Sequence, residues 1–205
     1  MNTPHGNSIT TAEHTIAMIM SLARQIPDAN VSTKKGKWEK SKFVGTEITG
    51  KKLGLIGCGN IGSIVVDRAK GLKMSVQVYD PFLTDDKSKE LGIEKVSFEN
   101  LLGSSDIISL HIPLTEETKN LLNENKLRLI KKSSVIINAA RGGVIDENQL
   151  AKLLKENKIA GAALDVFNNE PVNKEYAKKF EGIDNLILTP HVGAVSYTHL
   201  RAHET

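Results

Sequence analysis

The sequence has one cysteine, Cys58, so no disulfide can close within it. It has no run of about 18 apolar residues, so no membrane-spanning helix is expected. No charged start leads into an apolar core either, so no secretory leader is expected and a reducing cytoplasm is the expected compartment. Charge of one sign is also missing. The 27 basic and 24 acidic residues leave a net charge of only +3, and the lysines are scattered along the chain. Neither nucleic acid nor an acidic membrane is therefore an expected partner. There are no internal repeats and no low-complexity tracts. Metal-ligand groupings are lacking as well: His5 and His14 have no companions, and His199 and His203, at i and i+4, have no third ligand, so no metal is expected.

What is present suits one sizeable soluble domain or slightly more, with 205 residues of which 40% are hydrophobic. Residues 8–25 carry Ile9, Ala12, Ile16, Ile19, Met20 and Ala23 at the spacing of an amphipathic helix, which Pro27 and the polar stretch to Gly50 are expected to end. From Lys52 onward the chain alternates short β-rich runs with longer helical patterns. The runs are LGLI, SVQVY, DIISL, SVIIN, IAGAAL and NLILT. This alternation predicts an α/β fold, a doubly wound parallel sheet built from βαβ units.

The segment LGLIGCGNIG (53–62) sets Gly57, Gly59 and Gly62 at G-x-G-x-x-G spacing behind the first run. In that context Gly57 permits a tight turn, Gly59 lets backbone approach a pyrophosphate, and Gly62 lets the following helix pack close to the strand. The helix N-terminus then offers free N–H groups and a partial positive charge. The second run ends in Asp80, whose carboxylate can accept from both hydroxyls of an adenosine ribose and would repel a 2′-phosphate. No arginine follows nearby, so NAD is the expected cofactor rather than NADP. Cys58 reads as a small packing residue; its place near a helix start leaves a reactive thiol as the lesser alternative.

Later runs end in chemically useful residues. INAARGGVID (137–146) carries Arg141 beside two glycines, where a guanidinium fork can hold a small carboxylate. AALDVFNNEP (162–171) and LTPHVGA (188–194) carry Asp165, Glu170 and His191. Ligands of open α/β sheets bind beyond the carboxyl ends of the strands, so these four residues should gather on the edge that holds the glycine loop. A histidine can pass a proton near neutral pH, and a carboxylate beside it fixes its tautomer; His191 with Glu170 makes such a pair.

The stretches GCGNIG, HIPLTEETKNLL, NAARGGVID, ALDVFNNEP and TPHVGA together resemble the D-isomer-specific 2-hydroxyacid dehydrogenases, from about Asn2 to Ala194. The resemblance implies a Rossmann NAD-binding domain over residues 31–194, preceded by a hinge and interface helix within residues 1–30. It implies that His191 is the acid/base, Glu170 its partner, and Arg141 the group that binds the substrate carboxylate. Asp165 is implied at the nicotinamide end, Asn60 and Ile61 at the phosphates, and Asp80 at the ribose. The loops His111–Ile112–Pro113, Ala139–Ala140–Arg141 and His191–Val192–Gly193–Ala194 are implied to supply the remaining cofactor contacts, with packing an equal role for His111. The implied substrate is a small 2-hydroxy acid, and the implied assembly is a homo-oligomer. In the family a substrate-binding domain precedes the hinge helix, and Met1 falls where that helix begins. The ending VSYTHLRAHET departs from the family pattern, so residues 195–205 are expected to be non-native. Within the family the exact enzyme stays open, a hydroxypyruvate/glyoxylate reductase being one alternative, and a relative that senses NAD as a corepressor-like binding module stays open beside the enzyme, because such relatives keep the same residues.

Overall fold

The computed structural model describes residues 7–196. His5, His199, His203 and the bulk of the proposed tail therefore lie outside the described residues. Seven parallel strands form one sheet: β1 (Lys52–Ile56), β2 (Ser75–Tyr79), β3 (Glu94–Lys95), β4 (Ile107–Leu110), β5 (Val135–Asn138), β6 (Gly161–Leu164) and β7 (Leu186–Leu188). Their spatial order is β3-β2-β1-β4-β5-β6-β7. The chain builds outward from β1 to β3 and then returns to lay β4 on the other side of β1, which opens a crevice at the carboxyl ends of β1 and β4.

Both faces of the sheet are covered, which is why its strands read as continuous apolar runs. Successive side chains point to opposite faces. Ile136 and Ile108 enter one core with Leu101, Leu102 and Leu150, whereas Ile137 and Ile107 enter the other with Ile19, Val65 and Ala69. Helix α3 (Asn60–Gly71) follows β1 at once, and α4 (Asp85–Leu91), α5 (Phe98–Ser104), α6 (Glu124–Leu127), α7 (Glu147–Lys155) and α8 (Lys174–Ala177) fill the later connections. The six expected strands are all present. The short edge strand β3 is an addition, made of exposed Glu94 and Lys95 with no apolar signal.

Two expectations at the N-terminal end are corrected. Helix α1 (Ser8–Arg24) forms and ends before Pro27 as expected, but the polar stretch beyond it opens with a second helix, which Pro27 does not prevent. Pro27 lies in the first turn of α2 (Ile26–Lys34), where a missing N–H costs nothing. The buried face of α1 is also rotated from the expected stripe: Ser8, Thr11, Ala12, Thr15, Met18 and Ile19 are buried, while Ile9 is 53% exposed. Small side chains let α1 approach closely, and the two buried threonine hydroxyls are satisfied locally. Thr11 Oγ1 donates to the Asn7 carbonyl at 3.0 Å and Thr15 Oγ1 to the Thr11 carbonyl at 2.9 Å. Apolar periodicity alone could not register this polar but satisfied face.

Candidate active site

The glycines behave as the loop chemistry requires. Gly57 has φ 92°, and a Cβ there would lie 2.6 Å from the His111 carbonyl oxygen. A Cβ on Gly62 would lie 2.6 Å from the Gly57 carbonyl oxygen, so α3 can sit this close to the loop only without one. At Gly59 a Cβ would meet nothing within 4 Å, and α3 begins there without a side-chain cap. That open backbone with uncapped helix N–H groups fits a pyrophosphate.

Asp80 follows β2 and braces this loop. Its Oδ2 accepts from the Cys58 N–H and its Oδ1 from the Phe82 N–H, each at 2.8 Å. Each oxygen keeps a second lone pair for a ribose hydroxyl. Burial first, and then the Asp80 charge, push the Cys58 thiol up to about 11, so it is an unreactive packing residue.

Across the crevice, His111 follows β4. Burial pushes its imidazole down to about 4, leaving it neutral, with Nε2 2.9 Å from the Ser109 hydroxyl. Its buried Nδ1 has no partner among the described residues. This is the chemistry of a neutral support under the glycine loop rather than of a proton carrier.

The loops after β5, β6 and β7 hold the remaining residues on the same edge. Arg141 is exposed; its Nη1 donates to the Ala140 carbonyl at 2.6 Å, and it has no carboxylate partner among the described residues. Asn138, at the end of β5, shapes this turn by accepting from the Ala140 N–H at 3.1 Å and donating to the Arg141 carbonyl at 3.0 Å. Glu170 accepts from the Phe167 N–H at 2.8 Å through one oxygen and meets His191 Nδ1 at 2.7 Å through the other. The expected pair is thus formed. The carboxylate holds Nδ1 as the proton-bearing nitrogen and leaves Nε2 for chemistry.

Asp165 is fully buried. Burial pushes its carboxyl up, but donors from His14, Thr189, Val192 and Gly193 outweigh this and hold it at about 2. Its oxygens accept from the Thr189 hydroxyl at 2.6 Å and from the N–H groups of Val192 and Gly193 at 2.9 and 2.8 Å. Its visible work is therefore to grip the loop that carries His191 and Ala194.

Asn168, Glu147, Tyr176 and Lys179 support the site without being among the residues expected from the sequence. The Gly143 N–H donates to Asn168 Oδ1 at 2.6 Å, tying the Arg141 turn to the Glu170 loop. Buried Glu147 accepts from the Asn168 N–H at 2.7 Å, from Lys179 at 3.0 Å and from the Tyr176 hydroxyl. In sequence Glu147 reads as an ordinary acidic residue in a first helical turn; only the i, i+3 spacing of Tyr176 and Lys179 hinted that the two act together. A separate cleft of about 660 Å³ opens at the amino edge of the sheet, bordered by Asp28, Lys35, Lys51 and Asp106. It lies away from the glycine loop and from the His191–Glu170 pair. Among the described residues no group of three or more His, Cys, Asp or Glu could hold a metal, and no helix is long and apolar enough to cross a membrane.

The family model described as D-isomer specific 2-hydroxyacid dehydrogenase, NAD binding domain, matches residues 16–193. The D-3-phosphoglycerate dehydrogenase of Bacillus subtilis is 48% identical over 194 residues, which are 95% of this chain and 36% of that one. The chain thus spans about a third of the length of the curated relatives it matches. Among solved structures, the D-lactate dehydrogenase of Aquifex aeolicus complexed with NAD and lactic acid superposes with a TM-score of 0.85 at 33% identity, covering 94% of this chain and 62% of that one. An acyclic imino acid reductase in complex with NADPH and D-Arg gives a TM-score of 0.85 at 35% identity, covering 96% and 62%.

Proposed function

Because the chain belongs to the D-isomer specific 2-hydroxyacid dehydrogenase family through its NAD-binding domain, we propose that it supplies the cofactor half and the acid/base of an NAD-dependent oxidation of a D-2-hydroxy acid. The observation that carries this reading is the 2.7 Å pair of His191 and Glu170 on the same strand-end edge as the Gly57–Gly62 loop. The bound nicotinamide supplies hydride chemistry. His191 Nε2 takes the hydroxyl proton in oxidation and returns it in reduction, while Glu170 stabilises the imidazolium through Nδ1. Arg141, with no carboxylate partner among the described residues, holds the substrate carboxylate by two parallel hydrogen bonds. Asn60 and Ile61 meet the phosphates through the α3 N-terminus, and Asp80 meets the ribose.

The stretches GKWEKSKFVGTEITGKKLGLIG and YDPF look most like D-3-phosphoglycerate dehydrogenase, which points to 3-phosphoglycerate as substrate and to the entry of serine synthesis. The curated relatives carry that name. In this reading residues 1–30 form the hinge and interface helix, residues 31–194 the NAD-binding domain, and the complete protein is a cytoplasmic homo-oligomer. The test joins this chain to the remaining parts of the Bacillus subtilis relative and follows NADH formed from D-3-phosphoglycerate. His191→Ala is expected to lower turnover by about 10²- to 10⁴-fold with NAD affinity within a few-fold of the parent. Turnover within a few-fold of the parent removes His191 from the mechanism.

A further inference from the structure

Asp165 is fully buried, and a carboxylate in that position must be met by donors. Three come from the segment it grips: the Thr189 hydroxyl and the N–H groups of Val192 and Gly193. The fourth comes from the other end of the chain. His14, on α1, places Nε2 3.4 Å from Asp165 Oδ1 and 3.3 Å from Thr189 Oγ1. The single hydroxyl hydrogen of Thr189 is already given to Asp165, so toward His14 its oxygen can only accept. Both groups facing Nε2 are acceptors, and Nε2 must therefore carry a proton.

The loop backbone sits directly on these two side chains. A Cβ on Gly193 would lie 2.8 Å from Asp165 Oδ2 and 3.2 Å from the His14 ring. Two residues earlier, His191 has φ 54°, in the left-handed region, with its N–H donating to the Thr189 carbonyl at 3.0 Å. A non-glycine residue stays in that region only where its surroundings hold it there. The grip on Val192 and Gly193 does so, and the His14 ring of α1 reaches it.

We propose that His14 is a positioning residue for His191: its Nε2–H, shared between Thr189 and Asp165, fixes the carboxylate that clamps the loop from Thr189 to Gly193. The proposal rests on His191 as the acid/base, and it makes the pose of that residue depend on where α1 sits.

The test compares His14→Gln, which offers an amide donor near the Nε2 position, with His14→Leu, which keeps bulk without a donor. Both are made in the 205-residue chain, with hydrogen exchange of the Val192 and Gly193 amides read by NMR beside thermal unfolding and NAD calorimetry. His14→Leu is expected to speed exchange of those two amides roughly tenfold and shift their proton signals, while His14→Gln stays near the parent. Thr189→Val removes the shared hydroxyl at nearly constant shape and is expected to match His14→Leu, so it decides the matter where a His14 variant does not fold. Equal behaviour of His14→Leu and His14→Gln, or unchanged exchange in Thr189→Val, overturns the proposal. If the parent fails to bind NAD, the functional reading falls, while the amide exchange still judges the role of His14.

Discussion

Gly142 shows how tightly the backbone around the candidate site is set. A Cβ there would lie 1.8 Å from the Phe167 carbonyl oxygen, so the turn carrying Arg141 and the loop carrying Glu170 touch backbone to backbone. Gly142→Ala must push them apart, and the expected cost is about 1–3 kcal/mol, on the scale of other overpacked contacts. Urea unfolding measures it; an unchanged midpoint would show that the two loops move freely. This contact was not legible in the sequence, where Gly142 is one of two glycines after an arginine. Gly57, Gly59 and Gly62 were legible because their spacing directly follows a strand and each has a local duty. His14, Glu147 and Asn168 were not, since their partners lie far away in sequence and only the fold brings them together.

At the scale of elements, the five inner strands could be read because a parallel strand covered on both faces is mostly apolar, and β7 because Leu186, Ile187 and Leu188 still make an apolar run although it is only partly buried at the sheet edge. Strand β3 could not, since Glu94 and Lys95 sit at an exposed sheet edge. Helix α1 was legible as a helix but not in its rotation, because Thr11 and Thr15 bury hydroxyls that bond back to their own helix. The loop after β7 is joined to the end of β6 and to α1 through Asp165, and this junction has a pH signature. The Asp165 carboxyl is held at about 2, below its ordinary value. A depressed folded-state pKa contributes stability that is present above the unfolded value and lost as pH falls through the folded one. The gap corresponds to about 2 kcal/mol, lost between roughly pH 4 and pH 2. Asp165→Asn is expected to flatten the acid limb of the stability profile in that window, as measured by urea unfolding at stepped pH. An acid limb as steep as the parent's would place the acid-sensitive carboxylate elsewhere.

For the molecule as a whole, the parallel sheet delivers every candidate residue to one edge. The glycine loop follows β1, Asp80 follows β2, His111 follows β4, Arg141 follows β5, Glu170 lies in the connection after β6, and His191 follows β7. The central claim is that this edge, with Asp80 as its discriminating carboxylate, is a site for NAD. Titration calorimetry of the 205-residue chain with NAD and with NADP tests it most directly. NAD is predicted to bind more tightly than NADP, and Asp80→Ala to weaken NAD by about 1–3 kcal/mol, the scale of hydrogen bonds to a charged group. NADP binding as tightly as NAD, or NAD affinity unchanged by Asp80→Ala, would contradict the account.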